Sequence, residues 1–259
     1  MYDVETYGDG EPVVLLHGVP VPPESLEPLR RRLEQSHRVV VPDMTAIDRD
    51  PVEALEPLEE TLISEGVEQA PVVGHSFGAY RAFQLALSDA VDVDRIAAIG
   101  ALAHLPDPVR AQYDELIEGF EADAIDLPEV LAGQWFGDGY LADEPEAVEM
   151  LEQWFEEVGR EGVISGGRTE VRGPDLRPRL DEIDVPVYLQ TGDEDEATPV
   201  DWAREIAETI PNNRCRPSPS FCRGARRVDS AALKLSFGVP NRRRSVKRCG
   251  FYLRGQKTI

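Results

Sequence analysis

The chain is predicted to fold as an α/β protein, with a doubly wound, mostly parallel sheet and a helical insertion late in that sheet. Three observations carry this. Short apolar runs alternate with stretches whose apolar residues recur every three or four positions, the rhythm of buried parallel strands linked by crossover helices. One run ends in Gly74-His75-Ser76-Phe77-Gly78, a glycine-flanked serine on an abrupt strand-to-helix turn. The alternation then stops between about residues 103 and 179, where helical spacing continues and no strand-like run interrupts it. At 259 residues there is room for one such domain with its insertion.

Taken in order, Pro12-Val13-Val14-Leu15-Leu16 reads as a strand buried on both faces and delivers His17-Gly18-Val19-Pro20. Leu26, Leu29 and Leu33 mark a helix behind Ser25, with Arg30 to Arg32 on its wet side. Arg38-Val39-Val40-Val41 is a second strand ending at Pro42-Asp43, and Val52, Leu55, Leu58, Leu62 and Ile63 mark the helix after it. The strand Pro71-Val72-Val73 leads into the serine turn and a helix from Ala79 to Leu87, and Arg95 to Ile99 is the next strand.

In the insertion, one amphipathic helix carries Tyr113, Leu116, Ile117 and Phe120, and another carries Val148, Leu151, Trp154, Phe155 and Val158. A glycine-rich exit is expected at Gly162 to Gly167. Trp135, Phe136, Trp154 and Phe155 either line an acyl pocket or bury the insertion against the body. Val185-Pro186-Val187-Tyr188-Leu189 resumes the sheet. Thr198 and Pro199 suit the N-cap and first position of a helix bearing Val200, Ala203, Ile206, Ala207 and Ile210. The expected organisation is core at 1–102, helical cap at 103–179, core again at 180–213, and a basic, disordered tail at 214–259.

The chemistry centres on Ser76. A turn this tight pushes the hydroxyl above the sheet, at a helix N-terminus where free N–H groups favour negative charge. With these residues in view, the chain resembles the α/β-hydrolase superfamily, specifically its serine esterase and lipase-like members with a helical cap. The resemblance covers about residues 10–213. It rests on Leu15-Leu16-His17-Gly18, on Gly74-His75-Ser76-Phe77-Gly78, and on Gly192-Asp193-Glu194-Asp195 leading to Thr198-Pro199.

The resemblance implies Ser76 as nucleophile of an acyl-enzyme mechanism and Asp195 as triad acid, with Asp193 next in line. It implies an oxyanion hole from the backbone N–H groups of Phe77 and Val19. His17 is then a structural residue of its loop, and His75 points away from the serine. The expected substrate is a small ester, thioester or acyl compound. Serine rather than aspartate at the apex excludes halide displacement and epoxide opening, while cofactor-free haloperoxidase or perhydrolase chemistry shares the same triad. A non-catalytic protein that binds an acyl ligand through the same pocket is the alternative of a different class. No cofactor is expected. No metal is expected either, because Cys215 and Cys222 match no zinc spacing and have no histidine nearby.

One part of the pattern fails. The family's base is a histidine beyond the acid, yet the four histidines are His17, His37, His75 and His104. The final strand expected after Asn213 is replaced by Arg214-Cys215-Arg216-Pro217-Ser218-Pro219-Ser220, whose prolines cannot donate to a sheet ladder. Three explanations compete: a reading-frame slip near Asn213, a genuine basic tail, or His104 standing in for the base.

Charge sharpens the discontinuity. Residues 1–213 carry 48 acidic side chains against 14 arginines and no lysine, whereas 214–259 carry 13 basic side chains against Asp229 alone, within a net charge of −22. The lysine-free acidic portion resembles cytoplasmic proteins of salt-accumulating halophiles, whose self-repulsion salt screens. Such acidity argues against nucleic acid or an anionic membrane as partner. An acidic N-terminus with no apolar run near 20 residues predicts a soluble, cytoplasmic protein. Oligomeric state is not legible.

Overall fold

A computed structural model describes residues 1–45, 54–136, 138–192 and 195–211. In chain order its elements are β1 (Val4–Tyr7), β2 (Pro12–Leu16), α1 (Glu27–Leu33), β3 (Arg38–Pro42), α2 (Leu55–Ser64), β4 (Gln69–His75), α3 (Phe77–Ala86) and β5 (Asp92–Ile99). There follow α4 (Asp107–Glu121), α5 (Leu127–Trp135), α6 (Asp138–Asp143), α7 (Ala147–Val171), β6 (Val187–Gln190) and α8 (Val200–Thr209). The six strands lie in the order β1-β3-β2-β4-β5-β6. Every neighbouring pair is parallel except β1 with β3, which is antiparallel.

Period-two alternation within the apolar runs explains burial on both faces. Val14, Leu16, Val40, Val72, Ile96 and Ala98 face one core with the inner sides of α2 and α3. Their neighbours Val13, Leu15, Val39, Val41, Val73 and Ala97 face a second core with Leu26 and Leu33. Each fully buried Val or Leu contributes roughly 1.5–3 kcal/mol relative to exposure. β1 is absent from the sequence reading for the same reason: Val-Glu-Thr-Tyr is a partly exposed edge strand with no apolar run.

The insertion helices depart from expectation at one place. Instead of a glycine-rich exit, α7 runs through Gly162, Gly166 and Gly167 to Val171, kinked earlier at Gly159 (φ 74°). The glycines serve close approach: a Cβ on Gly166 would stand 2.5 Å from Val19 Cγ1, and one on Gly167 3.0 Å from Ile117 Cδ1. Each glycine costs the helix about 1 kcal/mol against alanine, an amount the close packing offsets. Trp135, Phe136, Trp154 and Phe155 lie in the apolar clusters that hold α5 and α7 together.

Among the described residues no helix is long and apolar enough to cross a membrane. Val52, Asp193, the expected loss of a last strand and helix, the basic tail and its cysteines all lie outside the described residues.

Strand order reverses between β2 and β4, so β2 continues to β3 on one side while β4 and β5 lie on the other. In open α/β sheets the crevice at the carboxyl ends of such a pair is where ligands bind. Leu16 pairs with Gly74 there, which puts the His17–Pro20 loop beside the serine turn.

Candidate active site

Ser76 has φ 53° and ψ −120°, and Asp123 is the only other non-glycine residue of positive φ among those described. Such a conformation costs of order 1–3 kcal/mol and persists only when its surroundings over-determine it. They do so here. Ser76 N–H donates to Ile99 O at 2.8 Å, and Ser76 O accepts from the N–H groups of Ala79 (2.9 Å) and Tyr80 (3.2 Å). A Cβ on Gly74 would stand 2.6 Å from Ala79 Cα, and one on Gly78 2.6 Å from His17 O, where real Cβ contacts stay beyond 3.0 Å. From Val72 to Leu85, Ser76 alone is not buried. The turn thus exposes a single side chain.

The proposed oxyanion donors flank it. Phe77 opens α3, and because the first helical bonds to Ser76 O come from Ala79 and Tyr80, its N–H has no intrahelical acceptor. Its ring is buried, stacked on Tyr80 with centroids 5.4 Å apart and covered by the Arg81 guanidinium at 4.6 Å. Val19 is buried in the loop after β2. His17 shapes that loop: its Nε2 accepts from Met44 N–H at 2.7 Å, which assigns the proton to Nδ1, the donor to Gly18 O at 2.7 Å. Burial holds His17 below its ordinary pKa, against the pull of Asp43, so the ring is neutral.

Asp195 follows β6. Its Oδ1 accepts from Thr198 N–H and its Oδ2 from the Thr198 hydroxyl, both at 2.8 Å. Burial pushes its carboxyl up, and the bonds from Thr198 and Ala197 oppose that shift. Thr198 therefore does not cap α8 as expected. The helix begins at Val200 after Pro199, leaving Thr198 outside it with its hydroxyl turned to the acid. Gly100 (φ 55°) makes room for this: a Cβ there would meet Thr198 Oγ1 at 3.0 Å, Asp195 Oδ2 at 3.7 Å and His75 Nε2 at 3.8 Å.

The imidazole of His75 is buried close to Gly18 on one side and Gly100 on the other. A Cβ on Gly18 would stand 3.1 Å from His75 Nδ1 and 3.3 Å from Ser76 Cβ, while one on Gly100 would stand 3.8 Å from His75 Nε2. Burial, reinforced by nearby His17, lowers its pKa to about 4. His104 sits elsewhere. It is surrounded by Arg177, Asp175, Glu205 and Arg110, and Asp175 is engaged by Arg177 at 2.7 Å. Asp195 is not among its charged neighbours.

Sequence reasoning did not find Thr198 as the partner of Asp195, nor Gly100. The D-x-x-T spacing and the glycine directly after a strand are the local signals that could have found them. It also missed Tyr113 on α4 and Glu170 on α7 as polar groups near the site. Tyr113 is electrostatically coupled to both Glu170 and Asp195 and lies within hydrogen-bonding reach of the Trp135 indole.

A family model described as "Alpha/beta hydrolase family" matches residues 13–221. The AB hydrolase superfamily protein YisY of Bacillus subtilis is 28% identical over 246 residues, covering 86% of this chain and 88% of that protein. The (E)-2-((N-methylformamido)methylene)succinate hydrolase of Acinetobacter baylyi is 23% identical over 210 residues, covering 77% and 78%. Among solved structures, the enol-lactonase from Burkholderia xenovorans superposes with a TM-score of 0.73 at 20% identity, covering 82% of this chain and 85% of that one.

Proposed function

The chain belongs to the alpha/beta hydrolase family, and from that premise we propose that it derives from a serine-dependent hydrolase of carboxylic ester or thioester bonds. Ser76 is its nucleophile, Asp195 its acid, and the N–H groups of Phe77 and Val19 its oxyanion donors. One observation carries the reading: a positive-φ serine, alone unburied in its stretch, at the topological switch point, flanked by the two loops that hold Val19 and Asp195. That both sequence relatives bear the name hydrolase or hydrolase superfamily protein supports it. In this mechanism the Ser76 hydroxyl adds to the acyl carbon and gives up its proton, and the developing oxyanion is held by the two backbone donors. The alcohol or thiol leaves carrying that proton, and water then cleaves the acyl-enzyme to release the carboxylic acid and restore the hydroxyl. The helices α4–α7 form the cap that shapes the substrate site.

None of the four histidines lies in a setting that suits the role of base. His17 holds its loop, His75 is buried, His104 lies in the Arg177–Asp175 cluster, and His37 is bonded to Ser36 just before β3, at the amino end of that strand. Turnover by this chain is therefore expected to be orders of magnitude below that of a complete triad, with residual catalysis from the oxyanion donors. The absence of a base also favours a second reading, a non-catalytic protein that binds an acyl ligand in the same pocket. Hydrolysis of an aryl acetate in high salt, with fluorophosphonate labelling of Ser76, separates the two. Labelling lost in Ser76→Ala with slow, Ser76-dependent hydrolysis supports the first reading; acyl-ligand binding with no labelling supports the second. Full turnover would contradict the assignment of the missing base.

A further inference from the structure

The cap and the core meet at a polar point that the proposed chemistry does not use. α4 and α7 run antiparallel, and their register is set by a ladder of contacts. Arg160 reaches Phe120 O at 2.7 Å, Gly167 lies on Ile117, and Arg110 donates to Gly173 O at 2.8 Å. Tyr113, one turn before Ile117, is thereby opposite Glu170, three residues after Gly167. Glu170 is also one turn after Gly166, the residue packed against Val19, so it shares the face of α7 that looks onto the oxyanion loop. From the other side, Glu196 N–H donates to Gln134 O at 3.3 Å, which draws the Asp195 loop to the end of α5, beside Trp135. Three cap helices and two active-site loops converge there.

We propose that Tyr113 and Glu170 form a two-donor recognition point in the cap, facing the Ser76–Asp195 site, that binds a carbonyl or carboxylate oxygen of the substrate other than the scissile one. This rests on the hydrolase reading for the location of the reacting bond. The donors are unused. Beside Trp135, whose indole N–H can only donate, the Tyr113 oxygen can act only as an acceptor, which leaves its own O–H to donate. The Glu170 carboxyl lies deep among protein atoms while its side chain keeps some solvent access. Desolvation raises its pKa to about 8 and no cation offsets the shift, so near neutral pH it is chiefly a carboxylic acid able to donate. The titratable group that faces it is Tyr113 on α4, which is electrostatically coupled both to it and to Asp195 in the loop after β6. Burial and the two carboxylates keep Tyr113 protonated well above its ordinary pKa, and Arg110 is engaged with backbone oxygens.

The test follows the indole N–H resonance of Trp135 in the full chain in high salt, titrated with methyl levulinate, which carries a keto oxygen, and with methyl valerate, which does not. The expected result is about tenfold tighter binding of the levulinate ester, the worth of one to two hydrogen bonds. Tyr113→Phe and Glu170→Ala should erase that preference, and Glu170→Gln, whose amide still donates, should keep it. Raising the pH through 8 should weaken the preference in the wild type and leave Glu170→Gln unchanged. Equal binding of the two esters, loss of preference in Glu170→Gln, or preferential binding of butylammonium would overturn the proposal. Fluorophosphonate labelling of Ser76 reads the hydrolase assignment separately: no labelling with an intact levulinate preference removes that assignment and leaves this site standing.

Discussion

Gly78 is where the sheet, the serine turn and the proposed oxyanion loop touch, so Gly78→Ala perturbs all three with one methyl group. The added Cβ would fall 2.6 Å from His17 O and 2.6 Å from Leu16 C, and it would run into the Leu16 oxygen. These are backbone atoms of Leu16, the last residue of β2, and of His17 directly after it, and β2 is locked by ladders to β3 and β4. The helix must therefore move by several tenths of an ångström to about 1 Å rather than the neighbour. Overpacking of this kind costs about 3 kcal/mol. For a domain of this size, that corresponds to a fall of about 6–12 °C in Tm. The shift also carries Phe77 N–H and Ser76 away from Val19, so fluorophosphonate labelling should slow by about a hundredfold or more. Gly133→Ala is the control: it lies inside α5 with nothing within 4 Å of its Cβ, and it should stabilise by about 0.5–1 kcal/mol. Calorimetry and labelling kinetics on both variants decide the matter. A Gly78→Ala protein with unchanged Tm and labelling would refute the view that close backbone approach, rather than chain flexibility, explains the glycine.

Thr198→Val removes the hydroxyl bond to Asp195 while keeping shape, and should cost about 1–2 kcal/mol in urea unfolding; no change would show that solvent satisfies Oδ2 equally well. Glu170 binds its proton up to about pH 8 in the native state but only to its ordinary 4.5 when unfolded. The native state therefore holds the extra proton across that window, and stability falls as pH rises through it. Glu170→Gln should gain on the wild type by about 2–4 kcal/mol between pH 5 and 8, and parallel pH profiles of the two proteins would sink this reading. His75 has the opposite sign. Its pKa of about 4 lies below the ordinary 6.5, so stability should decline by about 3 kcal/mol as pH drops through that interval, a decline that His75→Asn should flatten. With a net charge of −22, Tm should climb steadily between about 0.1 and 2 M KCl as repulsion is screened; a flat or falling curve contradicts the salt-adapted assignment.

Much of this was legible in the residues alone, for local reasons. Val-Val-Leu-Leu and Val-Val-Val can only be strands buried on both faces, and β2 and β3 are such strands. A serine between Gly74 and Gly78 at the join of an apolar strand and an apolar helix announces its own turn, and the observed φ of 53° is what those glycines permit. What the sequence misread depends on distant partners. Gly162, Gly166 and Gly167 look like a chain exit until Val19 and Ile117 are seen pressed against them, because a glycine's meaning lies in the atom facing its missing Cβ. Thr198 looks like a helix cap until the Asp195 carboxylate is placed beside it. Period and turn chemistry operate over a few residues and are written in order along the chain. The meeting of Tyr113, Trp135, Glu170 and Asp195 joins four elements across the fold, and side chains of ordinary identity acquire a shared chemistry there only because helix packing brings them together.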